Sequence, residues 1–283
     1  MYRVIHREDL TPNIHLFKID APNVAKKAQA GQFVIVMIEE TGERIPLTIA
    51  DWNREEGSVT VVFMEVGKST RHMARLKVGD SLFAFIGPLG LPTHIEQVGT
   101  VACVAGGFAT AVIAPIAREM RNAGNKVISI MGFRNKDLVF WEEKLQSVSD
   151  ELIIVTDDGS YGRKGLVTEP LKELLGTNPD VRQVIAIGPT IMMKFAAKTA
   201  EPFGVKTTVS LNPIMLDGTG MCGCCRVEVG GQTNFTCVDG PDFDGHLVDW
   251  DVLMARQRTY IEEEKSSVEH WNELCQSEAG RKA

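Results

Sequence analysis

The spacing of apolar and polar positions divides the chain into three successive regimes. Up to about residue 91, short segments rich in β-branched residues alternate with turns that contain Gly or Asp. Short strands at this spacing are typical of a small antiparallel barrel or sandwich. The predicted strands cover 14–19, 32–37, 46–50, 58–63 and 81–86.

From about residue 100 the pattern changes to buried apolar strands separated by amphipathic helices. Strands that alternate with helices of this length need crossover connections, and these produce a parallel sheet. The predicted strands cover 100–105, 126–132, 151–156, 183–187 and 205–211, and the predicted helices cover 110–121, 137–146, 166–175 and 191–203. This half is predicted to be a doubly wound α/β nucleotide-binding domain.

Regular periodicity ends near residue 212, where a Gly- and Cys-rich stretch begins and a charged helical tail follows. Tyr260, Trp271 and Leu274 are candidates for an apolar stripe in that tail, packed either on another subunit or on the chain itself. The predicted organisation is an antiparallel β-barrel over 1–98, a doubly wound α/β domain over 99–211, a cysteine-rich region over 212–250 and a helical tail over 251–283.

Composition and charge narrow the range of partners. The chain has 283 residues, enough for two domains, with 44% hydrophobic and 24% charged residues, which is ordinary for a folded globular protein. A net charge of -7 argues against nucleic acid or an anionic membrane surface as the main partner, because both reward clustered Lys and Arg. No signal-peptide pattern and no apolar run of about 18 residues is present, so we expect a cytoplasmic protein.

Four of the six cysteines, Cys222, Cys224, Cys225 and Cys237, are clustered in the third regime. Thiols stay reduced in the cytoplasm, so a cluster of them is better interpreted as metal or redox ligands than as disulfides. The neighbouring glycines allow the backbone to wrap around an inorganic core and direct amides at its sulfides. The sequence therefore predicts a metal centre here.

Asp217 begins a spacing that is typical of a two-iron cluster. Cys-x4-Cys-x2-Cys followed by a distant Cys is the plant-type ferredoxin pattern, and this chain reproduces it with Asp217 in the first place. The predicted metal ligands are Asp217, Cys222, Cys225 and Cys237. A zinc site with three of the cysteines is one alternative, because Cys-x2-Cys also suits tetrahedral zinc. Cys224 as the fourth ligand is another, less favoured because it adjoins Cys225.

Two segments of the predicted barrel carry residues suited to a flavin dinucleotide. Arg44 suits a diphosphate and the strand hydroxyl of Thr48 suits a flavin ring atom. Taken alone, this segment is better explained as an apolar strand with a surface Arg, and the flavin interpretation depends on the second segment. Ser69 and Thr70 suit the first turn of a helix whose amides face a diphosphate. The candidate cofactor residues are Arg44, Pro46, Leu47 and Thr48, then Phe63, Met64, Glu65, Val66, Gly67, Ser69 and Thr70.

A Gly-Gly turn follows the first strand of the predicted parallel sheet. Glycine lets the backbone approach a pyrophosphate at a helix N-terminus, with a purely structural turn as the alternative. Other strand ends point to the same crevice, where open parallel sheets bind ligands. The candidates are Gly106, Gly107, Ala109, Thr110, Ala111, Arg134, Asp157, Asp158, Gly188, Pro189 and Met192. No acidic residue follows the second strand and Arg134 is there instead, so the choice between NAD and NADP stays open.

These motifs together resemble the ferredoxin-reductase-type flavoproteins over essentially the whole chain. Two families within that group are similar: the electron-transfer subunit of dihydroorotate dehydrogenase, and the small (alpha) subunit of NADH-dependent ferredoxin:NADP oxidoreductase, of the sulfide dehydrogenase subunit type. The first family uses four cysteines, whereas the second is known for one Asp and three Cys at this spacing. Asp217 and the surrounding runs 211–223 and 237–245 resemble the second family.

The resemblance implies three cofactors and a partner. FAD belongs in the barrel, NAD(H) in the α/β domain and a [2Fe-2S] cluster in region 212–250. Hydride passes between nicotinamide and flavin, single electrons pass to the cluster, and Thr48 hydrogen-bonds or tunes the flavin as the catalytic residue.

The implied partner in a heterodimer is a larger, glutamate-synthase-like, NADPH-binding subunit with its own flavin and [4Fe-4S] clusters, and ferredoxin is reached indirectly in electron bifurcation. The alternatives are a dihydroorotate dehydrogenase electron-transfer subunit and, ranked lower, a zinc-stabilised nucleotide-binding regulator.

Overall fold

The part of the chain described by this computed structural model comprises the backbone of residues 2–282 and the side chains of residues 2–277. It contains one antiparallel sheet, one mainly parallel sheet and one two-stranded ribbon. The predicted combination of an antiparallel β-barrel unit and a doubly wound α/β unit, followed by a cysteine-rich region and a helical tail, is therefore confirmed.

The amino-terminal unit is the antiparallel sheet. Its elements are β1 (Tyr2–Thr11), β2 (Ile14–Asp20), α1 (Pro22–Ala25), β3 (Phe33–Met37), β4 (Ile45–Asn53), β5 (Ser58–Met64), α2 (Lys68–Met73), β6 (Ser81–Leu82) and β7 (Ala84–Leu89). The strands run in the order β6-β1-β2-β5-β4-β3-β7. Phe17 and Phe63 meet edge to face inside it, with ring centroids 5.1 Å apart. Strand β1 was not predicted, because most of its side chains are polar and partly exposed.

The second unit is the parallel sheet. Its elements are β8 (Thr100–Gly106), α3 (Thr110–Asn122), β9 (Lys126–Phe133), α4 (Glu142–Ser147), β10 (Glu151–Thr156), β11 (Arg163–Lys164), α5 (Thr168–Thr177), β12 (Val181–Ile187), α6 (Thr190–Ala200) and β13 (Lys206–Ser210). The strands run in the order β11-β10-β9-β8-β12-β13. The direction of winding reverses between β8 and β12, so the crevice for a ligand lies at the carboxyl ends of these two strands.

The helix predicted over 137–146 is wrong as a single element. A 3-10 turn at Lys136–Leu138 and the short α4 replace it, separated by Trp141, whose φ of 57° is left-handed. Packing explains the interruption, because the buried Phe140 ring lies 6.1 Å from Phe133 and the Lys144 ammonium lies 3.7 Å from the Trp141 ring centroid. A continuous helix would not hold both aromatic side chains in these positions.

The carboxyl-terminal region attaches to both units. Its elements are β14 (Arg226–Val229), β15 (Gln232–Phe235), α7 (Thr236–Asp239), β16 (Asp242–Asp244), α8 (Trp250–Gln257) and α9 (Ile261–Lys282). Strand β16 extends the parallel sheet by pairing antiparallel with β13. In the tail, Trp271 packs on this chain, with its ring 4.9 Å from His72 and 5.6 Å from the Arg75 guanidinium carbon. Tyr260 and Leu274 are about half exposed.

Residue 283, the end of the predicted tail, lies outside the described residues. None of the described helices has both the length and the apolar character needed to cross a membrane.

The two units are joined by an ion-pair network on β4. Oδ1 of Asp51 lies 2.8 Å from Arg118 on α3, and Oδ2 lies 2.9 Å from Lys144 on α4. Burial opposes ionisation of Asp51, but the Arg118 hydrogen bond and the Lys144 charge outweigh it and lower the pKa of Asp51. Apolar residues of the barrel, Ala50 and Val62, share a core cluster with α3. Strand β4, which carries Thr48, is therefore anchored to the second unit.

Candidate functional site

The four predicted metal ligands lie as two pairs of side chains. The Cys222 thiol lies 3.5 Å from Oδ1 of Asp217, and the Sγ atoms of Cys225 and Cys237 lie 3.2 Å apart. Within residues 2–277, no three His, Cys, Asp or Glu side chains converge so as to hold one metal ion. Two pairs suit a two-iron cluster, which takes two protein ligands for each iron, whereas structural zinc takes four ligands around one point.

The loop that carries these ligands presses directly on the barrel. Gly218, Gly220 and Gly223 all have φ between 68° and 83°, a conformation that glycine adopts without steric cost. A Cβ atom on Gly218 would lie 2.8 Å from Cδ1 of Leu89 and 2.9 Å from Cγ1 of Ile35. The absence of a side chain at Gly218 therefore allows the loop backbone to contact strands β3 and β7.

Backbone amides hydrogen-bond the carboxylate of the more exposed pair, half-buried Asp217 and exposed Cys222. The Thr219 N–H donates to Oδ1 of Asp217 at 2.9 Å and the Cys222 N–H donates to Oδ2 at 3.2 Å. These hydrogen bonds, that from Thr219 above all, lower the pKa of Asp217. Burial raises the pKa of Cys237 to about 12, so a metal must displace its proton. The Asp217 carboxylate is thus ionised, whereas the Cys237 thiol would have to lose its proton to act as a metal ligand.

Cys224 lies beside the exposed pair. A hydrogen bond with Cys222 raises the pKa of the Cys224 thiol, and the Cys224 carbonyl accepts a hydrogen bond of 3.2 Å from Arg256 of α8. Cys224 and Asp217 are thus both neighbours of Cys222, and a variant of each is needed to separate them as ligands.

An apolar cluster connects the buried thiol pair with the predicted flavin strand. Phe33 and Ile35 of β3 share this cluster with Met215, Cys225 and Cys237. On the sheet, Phe33 faces Thr48 of β4 on one side and Leu89 of β7 on the other. The cysteine loop therefore packs on β3, the strand that pairs with β4 at Thr48.

The structure brings the two predicted flavin segments together. Strands β4 and β5 are antiparallel neighbours, so the start of β4 lies beside the end of β5. The Ser69 hydroxyl donates to the carboxylate of Glu43, which directly precedes Arg44. Thr70 Oγ1 accepts hydrogen bonds from the N–H groups of Val66 and Gly67 at 3.0 and 3.1 Å. The hydroxyl of Ser69 thus bonds a carboxylate, while Thr70 caps its own helix.

The remaining residues of these segments differ in exposure. The residues at the strand ends form a partly open surface, and the Phe63 ring beneath that surface is buried. Arg44, Pro46 and Val66 are exposed, Leu47, Thr48, Met64, Glu65 and Gly67 are half-buried, and Phe63 is buried.

The predicted nucleotide residues meet at the point where the sheet reverses. A Cβ atom on Gly106 would lie 2.6 Å from Sδ of Met192 and 2.9 Å from Cδ of Pro189. A Cβ atom on Gly188 would lie 3.1 Å from the Gly106 nitrogen. The Gly-Gly turn and the Gly188–Met192 turn are therefore in contact, as expected for the two walls of one crevice.

The Gly-Gly turn leaves free space beside Gly107. Gly107 has φ of 59°, and a Cβ atom there would meet nothing within 4 Å. Thr110 is fully buried at the start of α3, and its Oγ1 has no hydrogen-bond partner among the described residues. Ala109 and Ala111 are buried beside it. The free space at Gly107 suits the approach of a phosphate oxygen, whereas the Thr110 hydroxyl is enclosed by the described residues.

The outer end of the crevice is polar. The Asp157 N–H donates to the Phe133 carbonyl at 3.0 Å, and the Asp158 N–H donates to the Arg134 carbonyl at 3.3 Å. Arg134, Asp157 and Asp158 thus lie side by side and exposed, beyond the ends of β9 and β10. The turn at Gly107–Ala109 contacts strand β5, so the crevice borders the flavin segments.

Two residues near the flavin segments were not found from the sequence. Buried His15 has Nδ1 2.6 Å from Oδ1 of Asp9 and Nε2 2.7 Å from Oε1 of Glu65, which ties Glu65 to β2. Glu43 binds Ser69. Neither contact has a local sequence signal, because Glu65 is 50 positions from His15 and Ser69 is 26 positions from Glu43.

Solved structures of low sequence identity share this fold. The ferredoxin reductase of carbazole 1,9a-dioxygenase has a TM-score of 0.62 at 21% identity, over 72% of this chain and 65% of its own. A ferredoxin NADP+ reductase from Neisseria gonorrhoeae, solved with FAD and NADP, has a TM-score of 0.61 at 18% identity, over 72% of this chain and 90% of its own. The fold is that of the ferredoxin-reductase-like flavoproteins.

Closer relatives identify the family. The family model of the iron-sulfur cluster binding domain of dihydroorotate dehydrogenase B matches residues 212–249. A homolog of the dihydroorotate dehydrogenase B (NAD(+)) electron transfer subunit from Thermotoga maritima is 45% identical over 95% of this chain and 94% of its own. The electron transfer subunit from Desulforamulus reducens is 32% identical over 86% and 95%. The chain belongs to the family of dihydroorotate dehydrogenase B electron-transfer subunits.

A chain in the structure of the NADH-dependent reduced ferredoxin-NADP oxidoreductase, described for flavin-based electron bifurcation, is also similar. Its TM-score is 0.92 at 44% identity, over 96% of this chain and 98% of its own. The resemblance drawn from the sequence is confirmed. The protein is a ferredoxin-reductase-like flavoprotein oxidoreductase subunit, and membership of a family of electron-transfer subunits implies a catalytic partner subunit.

Proposed function

We propose that this chain carries electrons between NAD(H), FAD and a [2Fe-2S] cluster, and exchanges them with a larger flavin and [4Fe-4S] subunit. The complex is a flavin-based bifurcating NADH-dependent ferredoxin:NADP oxidoreductase, in which the larger subunit binds NADPH and ferredoxin. The observation that carries the proposal is the pairing of Asp217 with Cys222 and of Cys225 with Cys237 in a loop packed on the barrel. The high similarity over nearly the whole of both chains supports the choice of complex.

The cluster ligands divide by environment. Asp217 and Cys222 would hold one iron, at the exposed thiol, and Cys225 and Cys237 would hold the other, against the apolar cluster that contains Phe33. A carboxylate oxygen is a harder and less covalent ligand than a thiolate, so Asp217 sets the exposed iron apart from the buried one. The pair next to the barrel faces the flavin side, and the exposed pair faces a partner.

A flavin bound here would supply the conversion between two-electron hydride transfer with the nicotinamide and single-electron transfer with the two-iron cluster. Thr48 hydrogen-bonds the flavin ring, and the Arg44 guanidinium balances the charge of its diphosphate. The free space at Gly107 receives the pyrophosphate of NAD(H) at the start of α3. No side-chain general base is needed, because a hydride is transferred as one proton together with two electrons.

The second candidate function is that of an electron-transfer subunit in NAD-dependent dihydroorotate dehydrogenase. The match of residues 212–249 to the cluster-binding domain of that enzyme favours it. Purification of a tagged chain from its own organism separates the two. A large flavin and iron-sulfur subunit in the purified complex supports the first function, and a dihydroorotate-oxidising subunit supports the second.

Anaerobic purification of the chain tests the electron-transfer proposal directly. We expect bound flavin together with two irons and two acid-labile sulfides per chain, the composition of a [2Fe-2S] centre. A colourless protein that contains zinc and no sulfide would refute the proposal and leave the nucleotide-binding regulator.

Ligand variants test the assignment within the cluster. Asp217→Cys should keep iron and sulfide but shift the reduction potential, because a thiolate replaces the carboxylate. Cys225→Ser should lose most of the cluster, whereas Cys224→Ser, the adjacent control, should keep it. An unchanged potential in Asp217→Cys, together with cluster loss in Cys224→Ser, would assign the fourth ligand to Cys224.

A further inference from the structure

Thr236 lies immediately before the metal ligand Cys237, at the first position of α7. Its side chain is fully buried, and its Oγ1 has no hydrogen-bond partner among the described residues. Buried hydroxyls are nearly always paired, because an unpaired one has lost its hydrogen bonds to water without replacement. This hydroxyl therefore needs an acceptor that the protein itself does not supply.

The position of Thr236 restricts what the acceptor is. Its N–H donates to the Cys225 carbonyl at 3.1 Å, so the residue is held between the two members of the buried thiol pair. The surroundings of that pair are apolar, with Phe33, Met215 and Phe235 packed against the two cysteines. In such a setting, sulfur bound to iron is the acceptor that the proposed cluster brings to this place.

We infer that the Thr236 hydroxyl donates a hydrogen bond to an inorganic sulfide bound to the iron held by Cys225 and Cys237, because neither cysteine sulfur is its partner among the described residues. The inference rests on the proposed function, because it needs the cluster. Reduction adds negative charge to the cluster, and a donor aimed at sulfur stabilises that charge. Thr236 therefore raises the reduction potential and makes the cluster a better acceptor for single electrons.

The test compares three variants of the anaerobically purified holoprotein. Thr236→Val keeps the shape of the side chain and removes the hydroxyl, and Thr236→Ser restores the hydroxyl. Thr233→Val is the matched control, because the Thr233 hydroxyl is exposed and bonds Glu228 at 2.7 Å. Iron, sulfide and flavin are measured first, and the cluster potential is then measured by redox titration with detection by electron paramagnetic resonance.

We expect the one-electron reduction of Thr236→Val to be about tenfold less favourable, a fall of about 59 mV. Thr236→Ser should have a cluster reduction potential close to that of the wild-type protein, and Thr233→Val should match the wild-type potential. A fully loaded Thr236→Val protein with an unchanged potential would overturn the inference and leave Thr236 a packing residue. A wild-type protein without iron and sulfide would instead refute the proposed function.

A second measurement covers the case in which Thr236→Val loses its cluster. Thr236→Ala removes the same hydroxyl without an added methyl group, and resonance Raman spectra of the wild-type protein report hydrogen bonding to sulfur through band shifts in D2O. A D2O-sensitive iron-sulfur band that is lost in Thr236→Ala and persists in Thr236→Ser supports the inference. The lack of any such band in the wild-type protein contradicts it.

Discussion

Replacement of Gly218 by alanine measures how closely the cysteine loop is packed on the barrel. The residue has φ of 77°, and the new Cβ atom would lie 2.8 Å from Leu89 and 2.9 Å from Ile35. The left-handed backbone costs roughly 1–2 kcal/mol for a residue with a side chain. Crowding of two packed side chains adds about 1–3 kcal/mol. The free energy of unfolding should therefore fall by about 2–5 kcal/mol.

Gly231 provides a matched control for the backbone contribution. It has φ of 74°, nearly the value at Gly218, but a Cβ atom there would meet nothing within 4 Å. Gly231→Ala should therefore lose only the roughly 1–2 kcal/mol of the left-handed conformation. The difference between the two variants isolates the contact between the loop and strands β3 and β7.

The assay is thermal unfolding of both variants under anaerobic conditions, with visible absorption of the cluster followed in parallel. For a chain of this size, 1 kcal/mol corresponds to about 2 °C in Tm. We expect Gly218→Ala to unfold several degrees below Gly231→Ala and to lose iron first. Equal Tm values for the two variants would show that the loop does not press on Leu89 and Ile35, and the packing of the cysteine loop on β3 would lose its support.

Two buried or half-buried carboxylates give further predictions. Asp51→Asn should destabilise the protein by about 1–2 kcal/mol, between the values for surface and buried ion pairs, because it weakens the bonds to Arg118 and Lys144. Folding lowers the pKa of Asp51. The difference in free energy of unfolding between Asp51→Asn and the wild-type protein should therefore be largest above about pH 4 and disappear as pH falls below that value, as measured by unfolding curves. Burial raises the pKa of Asp242, which accepts a 2.6 Å hydrogen bond from Thr93. The free energy of unfolding of the wild-type protein should therefore fall as pH rises from about 4 towards that raised pKa. An Asp242→Asn protein whose free energy of unfolding falls equally steeply over the same pH range would contradict this explanation.

Several elements could be predicted from the sequence because their signals are local. The alternation of β8, α3 and β9 follows from apolar spacing within each segment, and these helices and strands begin within a few residues of the predicted bounds. The spacing of Asp217 and three cysteines predicts a metal-binding loop, and this prediction uses only residue types at nearby positions. The candidate flavin segments are likewise predicted from short runs of suitable residue types.

Other features could not be predicted, because they depend on contacts between distant parts of the chain. The helix over 137–146 was predicted from its composition, but packing of Phe140 and Trp141 breaks it. Strand β1 has too few buried positions to show an alternating pattern, and its pairing with β2 makes it a strand. The carboxylates that bind His15 come from two different segments.

The sequence by itself determined the class of fold, the kind of cofactors to expect and the four candidate cluster ligands. The fold class and the candidate ligands need only residue types and their spacing, and the cofactors are what the resemblance to the ferredoxin-reductase-type flavoproteins implies. The tertiary structure decided that the ligands form two pairs, that the cysteine loop packs on β3, the strand that pairs with β4 at Thr48, and that the Thr236 hydroxyl is buried without a partner among the described residues. These features depend on which strands become neighbours and which side chains lose water, and that is set by packing across the whole chain.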